Sequence, residues 1–205
     1  MIERHAPTLK LAGLLGLLIV IVAVLSSVWP TQEEYFFELG LLGNNKAADK
    51  YFTNADSTVD VGATNSWFIY VHNHMGNTQN VLLRAKLVNS TAGLPSDRNH
   101  QPSLAASFAE FPVVLLANET VLIPFSWSVL ESETCDDTIV LRSLLVNGER
   151  VEAEVLTSPS SSLYIIFELW TQDRISEEYR FGWKSGDGFS SASVYMGFKF
   201  RSTTN

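Results

Sequence analysis

The chain has 205 residues and a formal net charge of −8, from 14 Lys+Arg against 22 Asp+Glu. That balance argues against nucleic acid as a partner, because binding it needs a basic face to displace counterions. Cys135 is the only cysteine, which excludes an intrachain disulfide, and no repeat or low-complexity tract divides the sequence. The first element in chain order is the run LAGLLGLLIVIVAVLSSVW, residues 11–29, which carries no charge and no proline. As a helix rising about 1.5 Å per residue it would span roughly 28 Å, close to the hydrocarbon thickness of a bilayer. A transmembrane signal anchor is therefore expected over 11–29. Val24-Leu25-Ser26 offers a cleavage site and hence a secretory peptide as the alternative, but the length of the run and Trp29 at its end favour the anchor.

Arg4 and Lys10 precede that run, and Glu33 and Glu34 follow it. The positive-inside rule then makes 1–10 a short cytoplasmic tail and 30–205 an extracytoplasmic domain. The expected location is the cell membrane, single-pass. Outside the first 29 residues there are 12 cationic and 21 anionic side chains, a net of −9, which suits a solvated surface. Ala12 and Gly16, four apart, are candidates for close approach of a second membrane helix; ordinary small residues of a lipid-facing helix are the simpler reading. The linker, Pro30 to Gln32, reaches about 10 Å at full extension, so such a domain would work beside the membrane.

Beyond the linker, short runs rich in β-branched and aromatic residues are broken by Gly, Asn, Asp and Pro, the pattern of strands between turns. Strands are predicted near 35–41, 57–61, 66–73, 80–88, 107–116, 120–130, 138–146, 149–156, 162–170, 178–184 and 192–201. Such spacing implies an all-β sandwich. In VEAEV, Val151, Ala153 and Val155 alternate with Glu152 and Glu154, giving one buried and one wet face. Asn147-Gly148 is a two-residue hairpin signal, since both residues tolerate positive φ. Val194, Met196, Phe198 and Phe200 share one face of an edge-capable final strand.

The stretch FFELGLLGNNKAADKYFTNADSTVDVGATNSWFIYVHNH, residues 36–74, resembles an archaeal family, domain of unknown function sixteen-sixteen, in which membrane helices precede an immunoglobulin-like domain. The similarity runs through Leu42 and Gly43, Ala47 to Tyr51, Thr53 and Asn54, Val61 and Gly62, and Asn73 and His74. A second stretch, LANETVLIPFSWSV at 116–129, is similar to an Asn-Glu-Thr segment leading into a strand of that family. The resemblance covers about residues 35–130, and the insert around 93–106 and the single predicted span depart from it. It implies an immunoglobulin-like sandwich and membrane attachment, with no activity to carry over.

His72 and His74 alternate onto one strand face about 6.5–7 Å apart, a spacing at which two imidazoles can share a copper or zinc ion. Met75 could add a soft ligand, but a full coordination set is lacking, and hydrogen bonding at a strand end is the simpler reading. Asn54 to Gly62 alternates oxygen-bearing residues; Val59 stands where an EF-hand needs glycine and Asn65 where it needs glutamate, so an Asx-rich turn is favoured over calcium. Asn89-Ser90-Thr91 and Asn118-Glu119-Thr120 match the N-glycosylation pattern and equally suit turns. Trp67, Trp127, Trp170 and Trp183 could line a glycan groove or fill the core. No nucleophile elbow, zinc-helix or dinucleotide motif is present in the sequence.

The expected function is that of a non-catalytic membrane-anchored interaction domain, an accessory subunit beside other membrane-protein subunits, without a cofactor. A glycan or envelope-polymer recognition module is the alternative, and copper or zinc binding at His72 and His74 a third.

Overall fold

The computed structural model describes residues 15–22, 24, 35–136, 138–158, 161–186 and 188–201. The chain divides into two units, Met1–Glu33 and Glu34–Asn205. In the first, residues 15–22 and 24 are helical and exposed. No helix among the described residues is long and apolar enough to cross a membrane. The expected transmembrane helix is corrected accordingly, and with it the signal anchor, the integral single-span attachment and the single-pass location. The other residues of 11–29, Ala12 among them, lie outside the described residues, and so does the pairing of Ala12 with Gly16.

The second unit is a two-sheet sandwich. Its strands are β1 (Phe37–Leu42), β2 (Thr58–Asp60), β3 (Asn65–Asn73), β4 (Gln79–Val88), β5 (Ser107–Leu115), β6 (Thr120–Cys135) and β7 (Thr138–Val146). They continue with β8 (Glu149–Thr157), β9 (Ser162–Gln172), β10 (Tyr179–Phe181), β11 (Trp183–Ser185), β12 (Gly188–Ser190) and β13 (Ser193–Arg201). The first sheet has the order β1-β3-β6-β7-β8, and the second β2-β13-β9-β4-β5. β10 takes up the edge of β9 beyond the point where β13 leaves it, and β11 and β12 form a separate hairpin. β1 and β2 lie in different sheets, and β2 runs parallel to β13 while the other paired strands are antiparallel. This architecture is compatible with an immunoglobulin-like sandwich.

Alternation explains the core. Trp67, Ile69 and Val71 of β3 and Phe125, Trp127 and Val129 of β6 face Val81, Leu83, Ala85 and Leu87 of β4 and Leu163, Ile165, Phe167 and Leu169 of β9. Aromatic rings join the sheets: Phe125 meets Phe167 edge-on at 4.8 Å, and Trp127 lies 4.9 Å from Phe198. At the β7–β8 turn, Asn147 and Gly148 have φ of 50° and 88°, while Val146 pairs with Glu149. That is the two-residue turn expected from the sequence. The predicted strand at 178–184 is instead two, because Gly182 has φ of 88° and packs so closely that a Cβ there would sit 2.1 Å from the Ser190 carbonyl. β13 is not a free edge along its whole length, since Lys199–Arg201 pairs with β2.

Residues of the 36–74 stretch hold the loops. Gly43 has the Asp49 carbonyl 1.8 Å from its would-be Cβ. Tyr51 donates its hydroxyl to the Leu41 carbonyl at 3.0 Å and accepts the Trp67 indole N–H on its own carbonyl. Asn73 is fully buried and ties the β3–β4 loop to residues 115 and 116.

Candidate functional site

Three places on the sandwich bring chemistry-bearing side chains together. The first is the outer face of the first sheet. The register aligns Glu38 of β1, His72 of β3 and Thr120 of β6, and His74, just past β3, returns to the same face. The two imidazole centroids are 3.9 Å apart, closer than the strand repeat alone gives, because His74 stacks on Phe36 at 4.2 Å. His72 contacts Thr120 Oγ1 through Nδ1 at 2.5 Å and Asn118 Oδ1 through Nε2 at 3.2 Å. His74 Nε2 meets Glu38 Oε1 at 3.2 Å, and the Tyr70 hydroxyl donates to Glu38 Oε2 at 2.9 Å. The Tyr70 hydrogen bond, assisted by His74 and His72, holds the Glu38 carboxyl below its ordinary value; the same bond raises the Tyr70 phenol. Among the described residues no group of three or more His, Cys, Asp or Glu side chains could hold a metal ion. His100 lies on another part of the fold, bonded to Ser191. The pair is a hydrogen-bonded polar patch.

The second place was not foreseen. Leu82, Arg84, Lys86 and Val88 alternate with the core residues of β4, so the pattern alone makes them a wet face. The segment 89–106 instead crosses that outer face of the second sheet. Lys86 Nζ lies 2.9 Å from Glu168 Oε2, with the two side chains 6% and 0% exposed. Both charges close on one loop residue: Lys86 donates to the Ser103 carbonyl at 2.6 Å, and Glu168 Oε1 accepts the Ser103 N–H at 2.5 Å. The Trp170 indole N–H donates to Glu168 Oε2 at 3.0 Å, and Arg84 lies over the Trp170 ring at 4.1 Å. Farther along, Asp97 accepts from Ser193 at 3.1 and 3.2 Å. The segment is pinned at both ends, and Leu104, next to the clamped Ser103, is fully exposed.

The third is a cleft of about 420 Å3 between the 75–79 loop, the end of β9 and the β11–β12 hairpin. Arg174, Arg180 and Lys184 line it with Trp183 and Phe189. The Arg174 guanidinium is fixed by the Asn77 side chain at 2.9 Å and the Thr78 carbonyl at 3.2 Å. Asp173, the one lining carboxylate, is committed to the Ile175 and Ser176 N–H groups at 2.9 and 3.1 Å, which hold it below its ordinary value.

The remaining candidates fall elsewhere. Trp67 and Trp127 are 1% exposed and fill the core, Trp170 is half-buried on the outer face of β9 under Arg84, and Trp183, 6% exposed, edges the cleft, so the four do not line one groove. Asn89 and Asn118 are both exposed at turns; Asn89 donates to the Leu156 carbonyl at 2.7 Å, and Asn118, with φ of 59°, faces His72. In the 54–62 loop, Asn54 donates to the Thr58 carbonyl, Asp56 accepts from the Thr58 N–H, and Asp60 is forked by Arg201 at 2.6 and 3.1 Å. Cys135 is exposed at the end of β6.

No protein-family model and no curated protein sequence matches the chain. Among solved structures, it is similar to the CARDB domain of a Pyrococcus furiosus protein in complex with di-metal ions, at 9% identity and a TM-score of 0.40, over 83% of this chain and 92% of that one. A beta-glucosidase from Listeria innocua in complex with gluconolactone gives 11% identity and a TM-score of 0.36, over 81% of this chain but 16% of that one. A Pseudomonas fluorescens alkylpurine DNA glycosylase bound to DNA containing an abasic site analog gives 15% and 0.28, over 65% and 33%. At these identities and scores, neither activity nor ligand carries over to this chain.

Proposed function

We propose that the protein is a non-catalytic interaction domain, an accessory or stabilising component of a multi-protein assembly, and that the 94–106 segment is its recognition element. The clamp on Ser103 supports this reading. Taking an ammonium and a carboxylate out of water costs several kcal/mol per ion unless each finds further hydrogen bonds. Here those bonds are spent on one loop backbone, which fixes the exposed Leu104 beside it. A partner binding to a preset loop avoids the entropy of ordering it. The kinship proposed for residues 35–130 with the archaeal family adds a fold and no activity.

The test is the mass of the particle in which the native protein travels, with companions identified by mass spectrometry. The reading expects a complex of fixed stoichiometry that Leu104→Asp dissolves without lowering the melting temperature. A particle with the mass of the chain alone would overturn it. A second reading, recognition of a glycan or envelope polymer, is favoured by the cationic cleft rather than by the tryptophans.

A further inference from the structure

We propose that the cleft lined by Arg174, Arg180, Lys184, Trp183 and Phe189 binds an acidic sugar, a hexuronic acid unit of a polysaccharide. The inference rests on the second reading above and names its ligand class. In a chain with a net charge of −8, three cations gather around one space whose single lining carboxylate is already used by the backbone of its own turn. Arg180 is 59% exposed and pairs with Asp173 Oδ2 through Nη2 at 3.7 Å, which leaves the rest of its fork for a ligand. Arg174 is preset by Asn77 and Thr78 through one nitrogen, Nη2. Two guanidinium groups and an ammonium favour an anion, and the planar fork matches a carboxylate in particular.

The rest of the lining selects the body that carries the carboxylate. Phe189 is 39% exposed and its ring is held edge-on to His100 at 5.2 Å. With Trp183 and Met75 it gives the cleft an apolar wall, suited to the C–H face of a pyranose ring. Gln79 and Gln172 complete the lining, with their amides engaged within the fold, Gln79 on Asn77 and Gln172 between Asn80 and the Glu177 carbonyl. A volume of about 420 Å3 lies in the roughly 300–1,000 Å3 range of small-ligand sites, and the cleft is open, as a unit within a longer polymer requires. A fully charged peptide would leave the aromatic wall unused.

The test is ligand-detected NMR on the full chain with tetragalacturonic acid, neutral galactotetraose and a tetraglutamate peptide, following the Trp183 indole N–H as a reporter. Binding of the uronide alone, weakened about tenfold by Arg180→Glu and again by Lys184→Glu, is the expected result. Both side chains are exposed, so the variants should melt with the parent, and Phe189→Ala gives a second, uncharged lesion. Equal binding of the neutral oligosaccharide would overturn the acidic class while leaving polymer recognition standing. Peptide binding as tight as the uronide's would overturn the sugar class. If none of the three shifts the Trp183 signal or shows saturation transfer, the cleft assignment and the polymer reading both fall.

Discussion

Lys86 and Glu168 sit on neighbouring strands one diagonal step apart, with 2.9 Å between Nζ and Oε2, on a face that the strand pattern would leave in water. They pair in a dry place, where the 89–106 segment covers them and lends them its Ser103 backbone. Removing one member strands the other. Lys86→Met and Glu168→Gln are each expected to cost about 3–5 kcal/mol in urea unfolding, whereas Lys86→Met with Glu168→Leu should recover most of that loss. The double variant still frees Ser103, so proteolysis between residues 94 and 106 should accelerate in it despite the regained stability. Equal protection of that segment in parent and double variant would show that the pair does not hold it.

The Asn147-Gly148 turn gives a second test. Asn147 holds φ of 50° while its side chain accepts from Ser126 N–H at 2.8 Å and donates to the Pro124 carbonyl at 3.2 Å, tying the hairpin to β6. Asn147→Ala loses both bonds and the tolerance for left-handed backbone, and should cost about 1–3 kcal/mol. Asn147→Gly loses the bonds alone and should cost less. Chemical denaturation of the two variants orders them.

These cases show what the sequence made legible. Strand positions followed from period-two alternation and turn residues, because both act over a few residues. The extension of β6 through Glu131–Cys135 did not, since ESETC has no apolar alternation. Its order comes from pairing with β7 and from ion pairs of Glu131 with Arg150 and Glu133 with Arg142, partners that lie 19 and 9 residues away. β12, three residues long, is too short to show a period. His72 and His74 were placed on one face by alternation, but their 3.9 Å approach goes with the stacking of His74 on Phe36, just before β1. The Lys86–Glu168 pair was hidden for a related reason. Strand periodicity says which face a side chain takes, and only tertiary structure says what covers that face.

Acid sensitivity is expected from the outer face of the first sheet. Glu38 is held below its ordinary value of 4.5, chiefly by the Tyr70 hydrogen bond and then by His74 and His72. A depressed carboxyl stabilises the fold above its unfolded value, and that contribution disappears as pH falls through the lower, folded one. Glu38→Gln should therefore be less stable than the parent at neutral pH, and the difference should close on acidification below about pH 4.5. Melting temperature against pH for both proteins checks this. A gap that persists undiminished into strong acid would assign the role of Glu38 to packing.

Asn73 gives the most demanding test. Its fully buried amide directs Nδ2 at the carbonyls of Asn77, Leu115 and Leu116, at 2.9, 3.2 and 2.8 Å, and accepts the Met75 N–H on Oδ1 at 2.9 Å. The group thus fastens the β3–β4 loop to the end of β5. Asn73→Ala removes the donor to all three carbonyls and the acceptor of the Met75 N–H, and should cost on the order of 2–4 kcal/mol. Asn73→Asp keeps the size and the Oδ1 acceptor but replaces the donor with an oxygen facing three carbonyl oxygens, so it should be worse than alanine at neutral pH. On acidification the aspartate can protonate and donate, and the variant should recover toward the parent, which Asn73→Ala cannot do. Urea midpoints of the two variants at neutral and mildly acidic pH decide the matter: if Asp is no worse than Ala, the amide's donors are not what holds the loop.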